Sequence, residues 1–313
     1  MTHDETTPAP SDIGIVVVTH NSEAAIGSCL DAAVASGAEL VVVDNASADH
    51  TLERVRQRPV RVIANAQNRG FAAAVNQGVT ALERDFVLLL NPDAVLASRL
   101  DSMRAACSLP GAAGCGGLLI GEDGHPQTGF MVRRFPSPAA LILEALLLNR
   151  LWPGNPVNRR YRALDLDYTR RLPVEQPAGA FLMIRRAAWQ ELGGFEESFF
   201  PLWFEDVDFC RRAADRGYVL YFEPTAVAKH TGAHSIFNLT LELRRIYWYR
   251  SLLAYAFRHF RPATFRAVCL AVAAGCVPRM IVDFILERRP RLLRAYVEVV
   301  RLAGRSLVFG WRD

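Results

Sequence analysis

The chain is nearly without lysine: of its 36 basic residues only Lys229 is one, so its positive charge is almost all guanidinium. Codon composition can produce that bias, and we draw no function from it. Metal-ligand cysteine spacing is also missing. Cys29, Cys107, Cys115, Cys210, Cys269 and Cys276 form no C-x-x-C pair, which argues against a zinc centre or a disulfide framework and for a reducing cytosol. The start, MTHDETTPAPSD, has no apolar core, so no ordinary signal peptide is expected and residues 1–11 are expected to be disordered. No run of 18 uncharged apolar residues occurs, and no membrane span is expected. There are no internal repeats and no low-complexity segment.

What is present describes a globular protein: 51% hydrophobic and 22% charged residues over 313 positions, enough for one large domain with an appendage. The net charge of +4 is unevenly placed. From Arg258 to Asp313 eleven arginines face four acids, a local charge of about +7 that leaves about −3 elsewhere and suggests an anionic partner surface. The arginines alternate with apolar runs and accompany no zinc or RNP-type motif, which speaks against nucleic acid and for an anionic membrane.

The first half alternates regularly. IGIVVVT (13–19), ELVVVD (39–44), VRVIAN (60–65) and DFVLLLN (85–91) are short apolar runs of the kind buried on both faces, and helical patterns at 22–36, 49–57 and 71–83 separate them. Alternation at this spacing predicts βαβ units and a mostly parallel sheet with helices on both faces. Ligands bind past the carboxyl ends of such strands, which directs attention to Thr19 and Asn21, to Asp44 and Asn45, and to Asn91 and Asp93. Further on, one apolar helix is expected over 137–152, then strand, helix and a Gly-Gly stop over 179–195. A helix from Glu205 to Gly217, a pair of short strands over 218–230, and an Arg-studded helical region 241–313 complete the pattern.

Several stretches can be read two ways. Asp44 leads into NASADHT, where an acid at a strand end can accept from a nucleobase or ribose, but Ser47 or Asp49 can equally be a simple helix cap. NRGFAAAVNQG (68–78) offers the amides of Asn68 and Asn76 and a close approach at Gly70, or merely tight packing. In LLLNPDAVL a buried strand delivers Asp93 to its end, to bind a divalent cation or to sit in a proline turn. Glu205, Asp206 and Asp208 crowd three carboxylates into four positions, as an acidic helix start or as a tuned general base.

The order VVVTHNS, VVVDNASAD, NRGFAAAVNQG, LLLNPD, GAFLMIRRAAWQELGGF, FEDVDFCRRA and His230 resembles the family 2 glycosyltransferases over residues 12–240. RRFPSP and LWPGNPVNRRYR resemble, within it, bacterial rhamnosyltransferases that extend polyprenyl-diphosphate-linked sugars. The resemblance implies a GT-A fold and an inverting hexosyl transfer. It puts Thr19, Asn21, Asp44, Asn45, Asn68, Gly70, Asn76, Asn91 and Asp93 around a dTDP- or UDP-sugar. Mg2+ or Mn2+ would lie on Asp93 and His230. Asp206 would be the base, with Glu205 beside it, and Gly179, Trp203 and Asp208 would border the acceptor. Asn91 replaces the first acid of the DXD pattern, the one feature favouring a non-catalytic binding protein on this fold. A nucleotidyltransferase would want a Gly-rich phosphate loop after the first strand, which VVVTHNSEAA lacks. The implied setting is cytoplasmic, at the inner face of the cell membrane, on a lipid-linked or glycan acceptor. The helices of 241–313 would hold the membrane or form a homodimer, and a chain ending near residue 256 is expected to fold without them.

Overall fold

The computed structural model describes residues 12–232, 239–286, 288 and 292–311; the expected disordered start, 1–11, lies outside them. The first half runs β1 (Ile13–Thr19), α1 (Glu23–Ala35), β2 (Glu39–Asp44), α2 (Thr51–Arg56), β3 (Arg61–Ala64), α3 (Phe71–Thr80), β4 (Phe86–Leu90), β5 (Ala94–Leu96), α4 (Asp101–Cys107) and β6 (Ala112–Ile120). Then come β7 (Val132–Arg133), α5 (Pro138–Ala145), α6 (Leu148–Leu151), α7 (Pro156–Tyr161), β8 (Leu172–Val174), β9 (Gln176–Pro177), β10 (Phe181–Arg185), α8 (Arg186–Leu192), α9 (Glu205–Asp215) and β11 (Val219–His230). Three helices follow: α10 (Leu241–His259), α11 (Pro262–Ile281) with a π-turn over Val282–Leu286, and α12 (Leu292–Phe309).

The sheet order is β3-β2-β1-β4-β10-β6-β11-β5, with β8 also on β11, while β7 and β9 form a separate ribbon. β3, β2, β1 and β4 run parallel, and β10 enters antiparallel between β4 and β6. Every residue of β1 is buried because both faces are covered. Ile13, Ile15 and Val17 pack under α1 and α4, and Val16 and Val18 pack with α3, α8 and α9. The unbroken apolar runs are therefore the signature of a two-faced sheet.

Two element expectations are corrected. The apolar stretch 137–152 is not one helix: Leu147 takes a left-handed conformation, φ 66°, and divides α5 from α6. The stretch 218–230 is one strand, not two, because register shifts between Glu223 and Val227 absorb Pro224 without ending the pairing with β6.

The C-terminal helices do not form a separate body. Tyr249, Leu252, Tyr255, Phe265, Val272, Tyr296 and Val299 share a third core with Leu141, Ala145, Phe199 and Phe204. Arg279 is buried, and its guanidinium donates to the carbonyls of Glu144 and Ala145 at the end of α5, where cations are favoured. Gly275 packs so closely that a Cβ there would lie 1.9 Å from the Ala145 carbonyl oxygen. A chain cut near residue 256 would expose this core, which corrects the expectation that it would fold. Leu292, Tyr296 and Val299, which fall at near-helical spacing, face the same core and so form no lipid-facing stripe. The stretch Pro262–Phe284 is long and apolar enough, by length and composition, to cross a membrane, with 44% of its most apolar window buried.

Candidate active site

The parallel strands end in register, Thr19 beside Asp44 and Asp44 beside Ala64. At this edge Asp44 is buried, accepting the Ser47 N–H at Oδ1 (3.1 Å) and the Ser47 hydroxyl at Oδ2 (2.6 Å). About two of a carboxylate's four acceptor positions then remain. The alternative cap, Asp49, accepts the N–H of Thr51 (3.1 Å) and of Glu23 (3.2 Å), tying α1 to α2. Asn21, at φ 50°, donates its N–H to Ser47 Oγ (2.9 Å) and accepts the Ala48 N–H (2.8 Å), fastening the first strand-end loop to the second. Thr19 Oγ1 and His20 Nδ1 are buried and, among the described residues, have no hydrogen-bond partner, the state in which a polar group is costly unless something else satisfies it.

Four residues expected at the donor hold loops instead. Asn45 donates to Asn68 Oδ1 (2.9 Å) and the Gly70 carbonyl (3.1 Å) and accepts the Arg69 N–H (3.0 Å); Asn68 Oδ1 also accepts the Gly70 N–H (2.9 Å). Asn76 donates to the Phe195 carbonyl and Glu197 (2.9 Å each) and accepts the Phe195 N–H (3.0 Å). Gly70, at φ 84°, leads into α3 under Phe200, whose ring would lie 2.9 Å from a Cβ there. These side chains shape the site through its walls, and the same polar, small-residue composition fits both uses.

The segment Asn91–Ala94 is the proline turn, closed by the Ala94 N–H donating to the Asn91 carbonyl (3.0 Å), and it also presents Asp93. The two readings coexist. Asn91 itself is half-buried. Pairing of Ala94 with His230 across β5 and β11 brings His230 Nε2 to 3.4 Å from Asp93 Oδ1, both side chains buried. Gln127, which no motif revealed, decides what that nitrogen can do. Its Nε2 donates to the His230 carbonyl (2.8 Å), which leaves Oε1 to accept at His230 Nδ1 (2.8 Å). The Nδ1 therefore carries the ring proton in the neutral form, and Nε2 turns a lone pair, with no hydrogen-bond partner, toward a carboxylate. Two electron-rich atoms facing each other in a buried corner suit a shared divalent cation, and a carboxylate with an imidazole is an acceptable donor set for Mn2+ or Mg2+. Among the described residues no third His, Cys, Asp or Glu completes a cluster.

The three crowded carboxylates occupy three different environments. Asp206 is half-buried and its Oδ2 accepts from the Gly179 N–H (2.9 Å) and Gln176 (3.3 Å), while Oδ1 accepts the Val207 N–H (2.8 Å). Burial pushes its pKa up, opposed by those backbone N–H groups and by Arg133. The expectation that its acidic neighbours tune it is corrected: desolvation does so. The crowding falls on Glu205, which burial first and the Asp206 charge second hold well above the usual carboxylate range. Its Oε2 has no hydrogen-bond partner. Asp208, expected against the acceptor, is instead fully buried between Arg212 (2.7 Å), Arg258 (3.3 Å) and His259 (2.8 Å). Burial opposes its charge, but the His259 hydrogen bond and the Arg212 charge outweigh it and keep the pKa low.

Gly179 supports the base: a Cβ there would lie 3.3 Å from the Asp206 Cβ and Oδ2. Trp203 and Phe204 stand at φ 78° and 72° just before α9. Side chains rarely adopt that region, at a cost on the order of 1–3 kcal/mol each, and it marks sites where surrounding packing imposes a geometry. Here Ser251 of α10 holds the Leu202 carbonyl (2.9 Å) and Phe204 sits in the third core. Trp203 is half-buried against the same core.

The architecture is that of the GT-A glycosyltransferases. A mannosyltransferase from Pyrobaculum calidifontis, solved with GDP-Man and Mn2+, matches 99% of this chain and 90% of its own with a TM-score of 0.54 at 16% identity. GalNAc-T7, solved with UDP, GalNAc and Mn2+, matches 73% of this chain and 45% of its own with a TM-score of 0.53 at 17% identity. The family model for glycosyl transferase family 2 covers residues 14–190, and the chain belongs to that family. It is 31% identical over 211 residues to the N-acetylglucosaminyl-diphospho-decaprenol L-rhamnosyltransferase of Mycobacterium tuberculosis, 63% of this chain and 67% of that one. It is also 26% identical over 206 residues to the low-salt glycan biosynthesis hexosyltransferase Agl10 of Haloferax volcanii, 64% of this chain and 61% of that one.

Proposed function

We propose that this family 2 glycosyltransferase moves a hexose, L-rhamnose from dTDP-L-rhamnose in the preferred reading, onto a sugar hydroxyl of a lipid-linked or polysaccharide acceptor of the cell envelope, with inversion. The observation that carries it is Asp206 at the start of α9, an acid with a raised pKa held by the Gly179 and Val207 N–H groups, together with the buried Asp93–His230 pair at the sheet edge. The mycobacterial relative supports the sugar and the acceptor. UDP-galactofuranose or another UDP-hexose is the alternative donor. Intact Asp93, Asp206 and His230 argue against a non-catalytic scaffold.

In this reading Thr19, Asn21 and Asp44 face the nucleotide, with Asn91 at the turn beneath it. Asp93 and His230 would hold Mg2+ or Mn2+, which would offset charge on the departing diphosphate. Asp206 takes the proton of the acceptor hydroxyl; its oxygen forms the new bond to the anomeric carbon as the bond to the diphosphate breaks, and the nucleoside diphosphate leaves with that electron pair. Gly179 and Val207 hold the carboxylate through their N–H groups. Glu205 stands behind it with its pKa raised by burial and by the Asp206 charge, which disfavours a second negative charge there.

The partner of the C-terminal region is an anionic membrane surface. Leu270, Val277, Ile281 and Phe284 are 49–56% exposed along one stripe of α11 and its π-turn, and Arg266 beside them is exposed too. Apolar residues with arginine neighbours suit the bilayer interface. The enzyme would then meet its acceptor at the inner face of the cell membrane.

The deciding experiment incubates the purified chain with a panel of dTDP-, UDP- and GDP-sugars and a prenyl-diphosphate-linked N-acetylglucosamine, with Mn2+ or excess EDTA, and measures released nucleoside diphosphate. Release from dTDP-L-rhamnose that needs both acceptor and metal is expected. Release from a UDP-hexose alone would select the alternative donor, and full release in EDTA would remove the metal from the account.

A further inference from the structure

A cavity of about 450 Å³ opens between the segment after β7, helix α7 and the flank of α9. Three guanidinium groups, those of Arg134, Arg160 and Arg211, line it together with Tyr161 and the N-terminal turn of α5 at Ser137. Its one acid, Glu175, already accepts the Phe135 N–H at 2.6 Å. Arg134 and Arg211 form ion pairs with the exposed Asp165 and Asp215; such pairs are weak in water and yield readily to a stronger anion. Arg160 is exposed, and among the described residues its guanidinium makes no hydrogen bond or ion pair, its backbone carbonyl alone accepting, from Ala163 and Arg162. Three guanidinium groups around a helix N-terminus favour a polyanion with several oxygens, a diphosphate above all.

The cavity lies close to the base. Tyr161, in its wall, is covered by the Arg133 guanidinium at 5.6 Å from the ring centre and hydrogen-bonded to it at 3.5 Å. Arg133 in turn pairs with Gln176 across β7 and β9, and Gln176 donates to Asp206 Oδ2 (3.3 Å). The Tyr161–Arg133 pair and Gln176 thus connect the cavity wall to the Asp206 carboxylate. At the end of α6, four residues before α7 begins, Leu151 and Trp152 are 78% and 64% exposed, apolar surface that suits a prenyl chain.

We propose that this cavity seats the diphosphate of a prenyl-diphosphate-linked acceptor, so that its first sugar reaches past Tyr161 and Arg133 to Asp206. The inference rests on the glycosyltransferase reading above and adds where the acceptor's charged linkage sits. The same arginines would also attract a phospholipid headgroup, and the test separates the two.

The test uses the full chain and farnesyl diphosphate as probe, with binding followed by calorimetry. Wild-type protein should bind it in the presence of saturating dTDP or UDP and Mn2+. Arg160→Glu should weaken that binding by roughly tenfold or more, the scale of a charge-assisted hydrogen bond lost and reversed. Binding of the nucleoside diphosphate, measured separately, tests the transferase reading itself and should be the same in wild type and variant. The proposal is overturned if the wild type does not bind farnesyl diphosphate, if nucleoside diphosphate displaces it, or if Arg160→Glu leaves it unchanged. It is also overturned if phosphatidylglycerol vesicles, and not farnesyl diphosphate, show the dependence on Arg160.

Discussion

Asp206 and Asp208 are two residues apart, and their surroundings suit one to the proposed role of base and make the other a strut. Asp206 keeps a half-exposed carboxylate with a raised pKa, and the proposed chemistry needs it ionised. Activity should therefore fall as the pH drops through that pKa, giving an acid limb of kcat/KM above the 3.8 of an ordinary aspartate. Asp206→Asn keeps the shape and loses the proton acceptor, so turnover should drop at least roughly a hundredfold while nucleotide-sugar binding survives. A near-normal rate with an unchanged acid limb would move the role to another group. The positions of Asp44, Asp93, Asp206 and His230 at strand and helix ends were legible in the sequence. Gln127 and Gln176 were not, because a lone glutamine, in a loop or in a two-residue strand, carries no pattern; only the fold puts one on His230 and the other on Asp206.

Helix α9 joins the catalytic sheet to the C-terminal helices through the buried Asp208. Arg258 and His259, from the end of α10, meet Arg212 of α9 on this carboxylate. Removing one member of a buried charge network costs about 3–5 kcal/mol because the others are left unpaired, so Asp208→Asn should lose stability of that order in urea unfolding at pH 7. The sign with pH follows from the lowered pKa. The wild-type carboxylate contributes stability above its unfolded pKa and loses it as the pH falls through the folded one, so the gap between wild type and variant should close in acid. A gap constant down to the acid transition would show that the charge is not what holds the elements together. Element boundaries in the first half were readable because apolar runs and turn residues alternate; β1 and β2 match the expected spans. The break at Leu147 was not, since a leucine in the left-handed region has no sequence signal.

At the scale of the molecule, the third core takes residues from both sides of position 240, so the C-terminal helices and the catalytic layers stabilise each other. Full-length protein should sediment with phosphatidylglycerol vesicles at low salt. A variant with Leu270, Val277, Ile281 and Phe284 all changed to serine should stay folded and remain in the supernatant. Equal sedimentation of both, or a shift from dimer to monomer on size exclusion in the variant, would assign the stripe to a second copy instead. A chain ending at residue 256 should be insoluble rather than a soluble catalytic core. The amino-acid order was sufficient for the layered α/β fold, the family and the strand-end acids, because periodicity and motif spacing are local and survive without coordinates. Tertiary packing alone decided what shifts each acid's pKa, which amides hold loops and which face of the last helices stays exposed. Those outcomes depend on desolvation and on partners distant in sequence, such as Gly179 on Asp206 and His259 on Asp208, which no local pattern encodes.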